Sequence, residues 1–328
     1  MEKRKSPNAK RKIGSMIQLS YVLFCVLSFA FCIFLAGCYE RVQTAVINTD
    51  GSGKMYLETI VTIPSQAPPG KAKPTPLAFG RQLAADLING TRGVEAWADL
   101  DVTEVDATHA KIAVTAYFKD LNALRLDQTL MFVWKRDPEG ATLSVERART
   151  AVRAYKDITD AELDKLVAQA QEDYKDKQQK VLRIQLEAYK LQMTFDLPGE
   201  IASAQIFEKN GQDVSLTLDG KKAMEALDDF MADRDALRAT FRAGQDLPAN
   251  DDIMLAAMFG KKGPIAARVK FAPDAKPAFD YRTEVIVAQL GQSEMLKNAG
   301  VQLLQPFIVT TSSKPASRPA SQPATRGR

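Results

Sequence analysis

Alternation of apolar and polar side chains dominates the chain after residue 40. Arg41 to Thr49 sets Val42, Thr44, Val46 and then Asn48 on one side. Asp50-Gly51-Ser52-Gly53 interrupts, and Lys54 to Ile63 resumes with Met55, Leu57, Thr59, Val61 and Ile63. A period of two around a glycine-rich break predicts a β-hairpin. After a Pro-rich connector, Pro64 to Pro76, the spacing of Leu77, Gly80, Ala84, Leu87 and Ile88 predicts a helix that Asn89-Gly90 stops. Val94 to Val105 with Lys111 to Phe118, and Leu130 to Lys135 with Ala141 to Arg147, read as two further strand pairs.

Thr159-Asp160-Ala161-Glu162 is a capping box, and the charged stretch through Lys180 carries one apolar stripe of Leu163, Leu166, Val167, Ala170 and Tyr174. A strand follows, with Tyr189, Leu191, Met193, Phe195 and Leu197 alternating to Pro198-Gly199. Ile201 to Phe207 and Val214 to Leu218 are expected to pair across Asn210-Gly211, a strong hairpin signal. Asp219 to Arg242 returns to one helix, capped by Asp219. Beyond it come a short helical piece at Asp251 to Phe259, strand-like runs at Ile265 to Phe271 and Phe279 to Ala288, and a helical run at Ser293 to Leu304. Strands grouped in hairpins with helices between them predict an α+β fold on a largely antiparallel β-sheet.

The two ends read differently. A basic stretch to Lys12 precedes an apolar run from Met16 to Leu35, which closes with Leu35-Ala36-Gly37-Cys38. This resembles a bacterial lipoprotein signal: 1–37 is removed and Cys38 becomes the lipidated first residue of the mature protein. The alternative is an uncleaved anchor, since about 20 apolar residues span a bilayer. A plain anchor gives no reason for Leu-Ala-Gly-Cys at the boundary. Tyr39, rather than Asp, follows Cys38, which favours the outer membrane where the envelope has one. Cys25 and Cys32 leave with the signal, so no disulfide framework or cysteine nucleophile remains. At the other end, 311–328 is rich in Pro, Ala and Ser, with Pro315, Pro319 and Pro323 at a four-residue period and no large apolar side chain. It is expected to be disordered, as a solvated spacer, as a contact for anionic cell-wall polymer or lipid headgroups, or as a glycosylated stalk.

Charge follows this division. The formal net charge is +4, but 1–37 carries +5 and 311–328 carries +4, leaving 38–310 at −5. A basic nucleic-acid footprint is therefore missing from the body. The expected organisation is signal 1–37, an α+β domain 38–218, a helix and strand extension 219–310 that either joins that domain or stands apart, and the tail 311–328.

Searching for chemistry yields little. No nucleophile elbow, phosphate loop or zinc-protease motif is present. Asn48, Asp50, Ser52 and Gly53 occupy calcium-loop positions one, three, five and six, but position twelve is Thr59, so the bidentate carboxylate is missing. His109, the only histidine, sits at a loop edge and has no cysteine beside it for zinc. Asp228-Asp229 and Asp251-Asp252 are adjacent pairs that point apart on a helix, unlike the facing acids of a glycosidase. Gly260-Lys261-Lys262-Gly263 reads as a basic turn, and Ser312-Ser313-Lys314 lies in the tail. Neither metal nor cofactor is expected, and the chain is expected not to be an enzyme.

Gly37-Cys38 before Arg41-Val42, the early hairpin, Ala116-Tyr117-Phe118-Lys119-Asp120-Leu121, the strand ending Phe195-Asp196-Leu197-Pro198-Gly199, and Val214-Ser215-Leu216-Thr217-Leu218 occur in that order. Over Cys38 to Leu218 this resembles the LppM-type lipoprotein domain described from mycobacteria. The resemblance implies an envelope-attached module like lipid-binding proteins, associated with glycolipid handling. No ligand residue carries over, and the charged helix and everything beyond Asp219 depart from the pattern. The expectation is a lipid-anchored, non-catalytic envelope protein that binds an amphiphilic ligand, lipid or glycolipid, or an envelope protein; a ligand pocket would be lined by Met193 and Phe195, although for these two side chains a filled core is the favoured reading. Two alternatives remain. One is an assembly protein docking through an exposed Leu163, Leu166 and Ala170 stripe or the tail; the other is a hydrolase with converging carboxylates.

Overall fold

The computed structural model describes residues 38–63, 72–126, 130–147, 158–243, 256 and 258–301. Strand β1 (Cys38–Ile47) turns through Asn48 to Ser52 and returns as β2 (Gly53–Thr62). Gly53 is required there, because a Cβ would lie 2.5 Å from both the Phe118 ring and the Val46 carbonyl oxygen. Helix α1 (Pro76–Gly90) starts where the Thr75 hydroxyl accepts from the Ala78 N–H, with proline in its first turn. The hairpin of β3 (Ala96–Glu104) and β4 (His109–Phe118) then adds β4 to β2, from Gly53↔Phe118 to Thr62↔His109. A second hairpin, β5 (Leu130–Asp137) and β6 (Gly140–Arg147), starts a separate sheet.

Helix α2 (Asp160–Asp173) opens on the reciprocal capping box of Thr159 and Glu162, widens into a π-turn at Tyr174–Gln178 and continues as α3 (Gln179–Leu186). Strands β7 (Lys190–Asp196), β8 (Glu200–Gln205), β9 (Glu208–Asn210) and β10 (Asp213–Asp219) follow. Helices α4 (Gly220–Ala232) and α5 (Arg234–Ala243), strand β11 (Ile265–Lys270) and helix α6 (Tyr281–Asn298) complete the described chain.

The strands form a seven-stranded sheet, β3-β4-β2-β1-β7-β10-β9, and a four-stranded one, β5-β6-β11-β8. Every named strand pair is antiparallel except β1 with β7. The class is α+β with largely antiparallel sheets. One core joins the inner face of the large sheet to α1 and the small sheet. Phe195 of β7 meets Phe132 of β5 edge-on at 5.6 Å and Phe207 at 5.8 Å. Helices α2 to α5 gather their apolar faces in a second core, which includes Leu163, Val167, Phe230 and Leu237. Helix α6 covers the outer face at β3 and β4, placing Val285 and Ala288 on Ala96 and Tyr117.

Four expectations are corrected. Ile201 to Phe207 does not pair with Val214 to Leu218: β8 crosses to the small sheet and pairs with β11, and only Glu208–Asn210 returns to β10. The crossing passes through Gly199, where a Cβ would lie 2.2 Å from the Lys270 carbonyl oxygen, and comes back through Ile206 at φ +64°. The hairpin loop is accordingly Gly211-Gln212, with Asn210 in the strand. The single helix over Asp219 to Arg242 is two, because the Asp233 carboxylate accepts from the N–H groups of Asp235 and Ala236 and caps a new start.

Phe279 to Ala288 is helix from Tyr281 on. Asp280 caps it through the Thr283 N–H and hydroxyl, and the Val285, Ala288, Gln292, Leu296 stripe outweighs its β-branched composition. In β1 the core face is the more polar one: Arg41, Gln43, Ala45 and Ile47 turn inward, while Val42, Thr44 and Val46 lie half-buried on the outer face. Residues beyond 219 enter the assembly at its centre, since β11 lies between β6 and β8.

Candidate functional site

Cys38 is the first residue of a central strand. It pairs with Val61, and after an irregularity at Tyr39 the next residue, Glu40, is aligned with Ile60 on one side and Lys190 on the other. The candidate lipidation residue therefore adjoins the ladder directly. Its end of the sheet also carries a polar strip on the inner face. Arg41 lies between Thr59 of β2 and Leu191 of β7, and Arg41, Gln43 and Thr59 are all buried. With its carbonyl turned toward Arg41, the Gln43 amide accepts from Nε at 2.7 Å and from Nη2 at 3.2 Å. Among the described residues no carboxylate pairs with this guanidinium. A buried charge with one neutral partner is costly and stands out against an otherwise apolar interior.

The other singled-out residues have local duties. Met193 and Phe195 are buried in the aromatic packing between the sheets, so they fill the core, and the pocket of the ligand hypothesis is not formed by them. Leu163 and Ala170 are buried against α4 and α5, so the stripe packs on the body itself and is not the exposed surface that the assembly alternative requires. His109 Nδ1 lies 2.8 Å from both Asp106 carboxylate oxygens at the tip of the β3–β4 hairpin. The Thr108 N–H, the His109 side chain and the Thr108 hydroxyl hold the Asp106 carboxyl down at about 2.

Asn48, Asp50 and Ser52 satisfy one another: Ser52 donates its N–H and hydroxyl to Asp50, and the Asn48 amide donates to Ser52 and accepts from the Ala278 N–H. The loop thereby pins the segment leading to α6. Among the described residues no group of three or more metal-ligating side chains gathers. Asp228 accepts from Tyr174 at 2.6 Å, Gln179 at 2.8 Å and Arg183 at 2.5 Å, tying the π-turn and α3 to α4 without bringing Asp229 into the network. Burial, then the bond to Asp228, pushes the Tyr174 phenol upward. Gly260-Lys261-Lys262-Gly263 is a turn into β11 whose two lysines are exposed. Asp251-Asp252, Ser312-Ser313-Lys314, the 1–37 signal and the 311–328 tail lie outside the described residues.

One cluster had no signal in the sequence. Lys54 Nζ lies 2.8 Å from Glu284 Oε2 and 4.4 Å from the centre of the Phe279 ring, and the Tyr117 hydroxyl donates to the same Glu284 oxygen at 3.0 Å. Burial opposes the charge on Lys54, but its bonds to Glu284 and Tyr56 outweigh this and raise its pKa. Burial and Glu284 both raise the Tyr117 phenol. Glu284, 230 residues from Lys54 and 167 from Tyr117 along the chain, thereby fastens α6 to the large sheet. Among the described residues no helix is long and apolar enough to cross a membrane. No protein family, curated protein or solved structure matches this chain.

Proposed function

We propose that this chain is a lipid-anchored envelope protein that performs no catalysis and holds its α+β body at a membrane surface to bind an amphiphile or a protein partner. One observation carries the reading: Leu35-Ala36-Gly37-Cys38 ends the apolar run at the residue that opens the central strand. A leader cleaved before Cys38 leaves a complete strand intact. The single histidine and the Asp228 carboxylate, both engaged in local hydrogen bonds, support a role without chemistry. The test is expression of the full chain in bacteria fed an alkyne fatty acid. The wild type should be labelled, membrane-bound and shortened by 37 residues plus the mass of its acyl groups, whereas Cys38→Ser should lose label and membrane fraction together. An unlabelled wild-type protein would remove the reading.

Arg41 favours the amphiphile as ligand. It supplies a desolvated cation, without a carboxylate partner among the described residues, close to the anchoring residue, the chemistry that an anionic headgroup requires. Native mass spectrometry of the detergent-extracted protein should detect a co-purifying lipid that Arg41→Gln loses. Equal lipid content in both proteins would leave the protein partner as the ligand.

A further inference from the structure

We infer that the large sheet stands on end on the bilayer, with the half of that end carrying Cys38, Val61 and the tip of the β3–β4 hairpin, Val105 to Thr108, against the lipid headgroups, beside the junctions of β7 and β10 with α3 and α4. This rests on the proposed acylation of Cys38. The register fixes the rest. Cys38 is opposite Val61, and Val61 is opposite Ala110; Glu104 is also opposite Ala110. On the other side Glu40 is opposite Lys190, and Lys190 opposite Asp219. These positions form one end of the sheet, and strands β1 and β7 both run away from it.

No tether separates the anchor from this end. Glu40 is aligned with a partner strand on both sides only two residues after Cys38, and two residues extend at most about 7 Å. The body is therefore held close to the surface. β4 lies two strand spacings from β1, about 10 Å, so the hairpin tip is carried down beside the acylated residue. That tip is stiff: the Asp106 carboxylate accepts from the Thr108 and His109 N–H groups, and the Ile63 N–H donates to the Thr108 carbonyl oxygen. Val105 presents an apolar side chain there at 54% exposure, unusual among the polar residues of this edge. The charges of this end are net acidic, with Glu104, Glu40, Asp219 and the Asp106 carboxylate of the tip against Lys190, and Lys111 further in is paired to Glu58 at 2.7 Å. Seating therefore depends on the acyl anchor and Val105 more than on net charge. The turn of β9 and β10, at Asn210 and Gly211, belongs to the opposite end, level with Asp196, Val46 and Lys54.

The test uses the full chain, processed in cells and reconstituted into vesicles of phosphatidylethanolamine and phosphatidylglycerol. A polarity-sensitive fluorophore is placed on Val105→Cys or Asn210→Cys, each the sole reactive thiol once Cys38 is acylated and 1–37 removed. Lipids spin-labelled at the headgroup should quench the label at 105 more than about threefold better than the label at 210, because the two positions stand about 30 Å apart along the strands. Ala107→Cys, exposed on the same tip, should match position 105 and covers a folding defect in the valine variant. Equal quenching at both ends of an acylated protein would overturn the orientation and leave the anchor standing. A purified protein of unacylated mass would overturn both.

Discussion

At Gly220 a single missing methyl group decides whether three elements can meet. A Cβ there would lie 1.7 Å from the Leu186 carbonyl oxygen, while the Gly220 N–H donates to the Tyr189 carbonyl oxygen at 2.8 Å. The last turn of α3, the start of β7 and the start of α4 converge on it, and only backbone is available to move. Gly220→Ala should therefore cost about 2–3 kcal/mol in urea unfolding, at the upper end for overpacking. Phe195→Ala should cost about 3–5 kcal/mol by the same measurement, because its ring is wedged between Phe132 and Phe207. A near-neutral result would mean an open pocket at that position. At Asp106 the bonds from Thr108 and His109 hold the carboxyl at about 2, below the ordinary carboxylate value of 3.8. Its contribution to stability is then complete above about pH 4 and fades as the pH falls toward 2. Carboxyl-carbon NMR titration should place its inflection at about 2, rising only part of the way toward 3.8 in Thr108→Ala, which removes the hydroxyl donor but keeps the N–H. The alternation that placed Met193 and Phe195 on one face was readable in the sequence. That Phe132 would meet Phe195, and Glu284 would meet Lys54, was not, since local pattern carries no record of partners so far along the chain.

Among the elements, those built from local signals were the legible ones. The Thr159–Glu162 box, the Asp219 cap and the hairpins around Gly51 and Gly140 all form where short-range chemistry demands them. Elements chosen by long-range packing were misread. β8 is claimed by β11, and α6 is helical because its stripe finds Ala96 and Tyr117 on the outer face of the sheet. The polar inward face of β1 breaks the expected pattern at the end where the chain places its candidate anchor. Helix α6 also closes an edge: Gln292 Oε1 accepts from the Trp97 N–H at 2.8 Å in a buried contact. Gln292→Leu strands that donor and should cost about 1–3 kcal/mol. Hydrogen exchange should accelerate at β3 and α6, leaving α2 to α5 unchanged. Asp228→Ala should do the converse, loosening the helical cluster first, because three donors lose their acceptor.

The described residues share one backbone frame around a large core between the sheets, a smaller one among the helices and a cluster under α6 on the outer face. The chain's sequence read correctly as α+β because its hairpins carry local signals between helical stretches, but the way the later strands enter the earlier sheets had no local signature. One seam in that frame has a consequence for how the protein is made. Gln43 and Met193 face each other across β1 and β7, 150 residues apart in the chain. A ribosome adding residues in order completes β1, β2 and β4 long before β7 exists, so the nascent sheet has a naked edge through its future middle. Long-range closure of this kind is slow. The newborn chain is thus most open to mispairing along β1, and a strand-capping chaperone would have its natural substrate there.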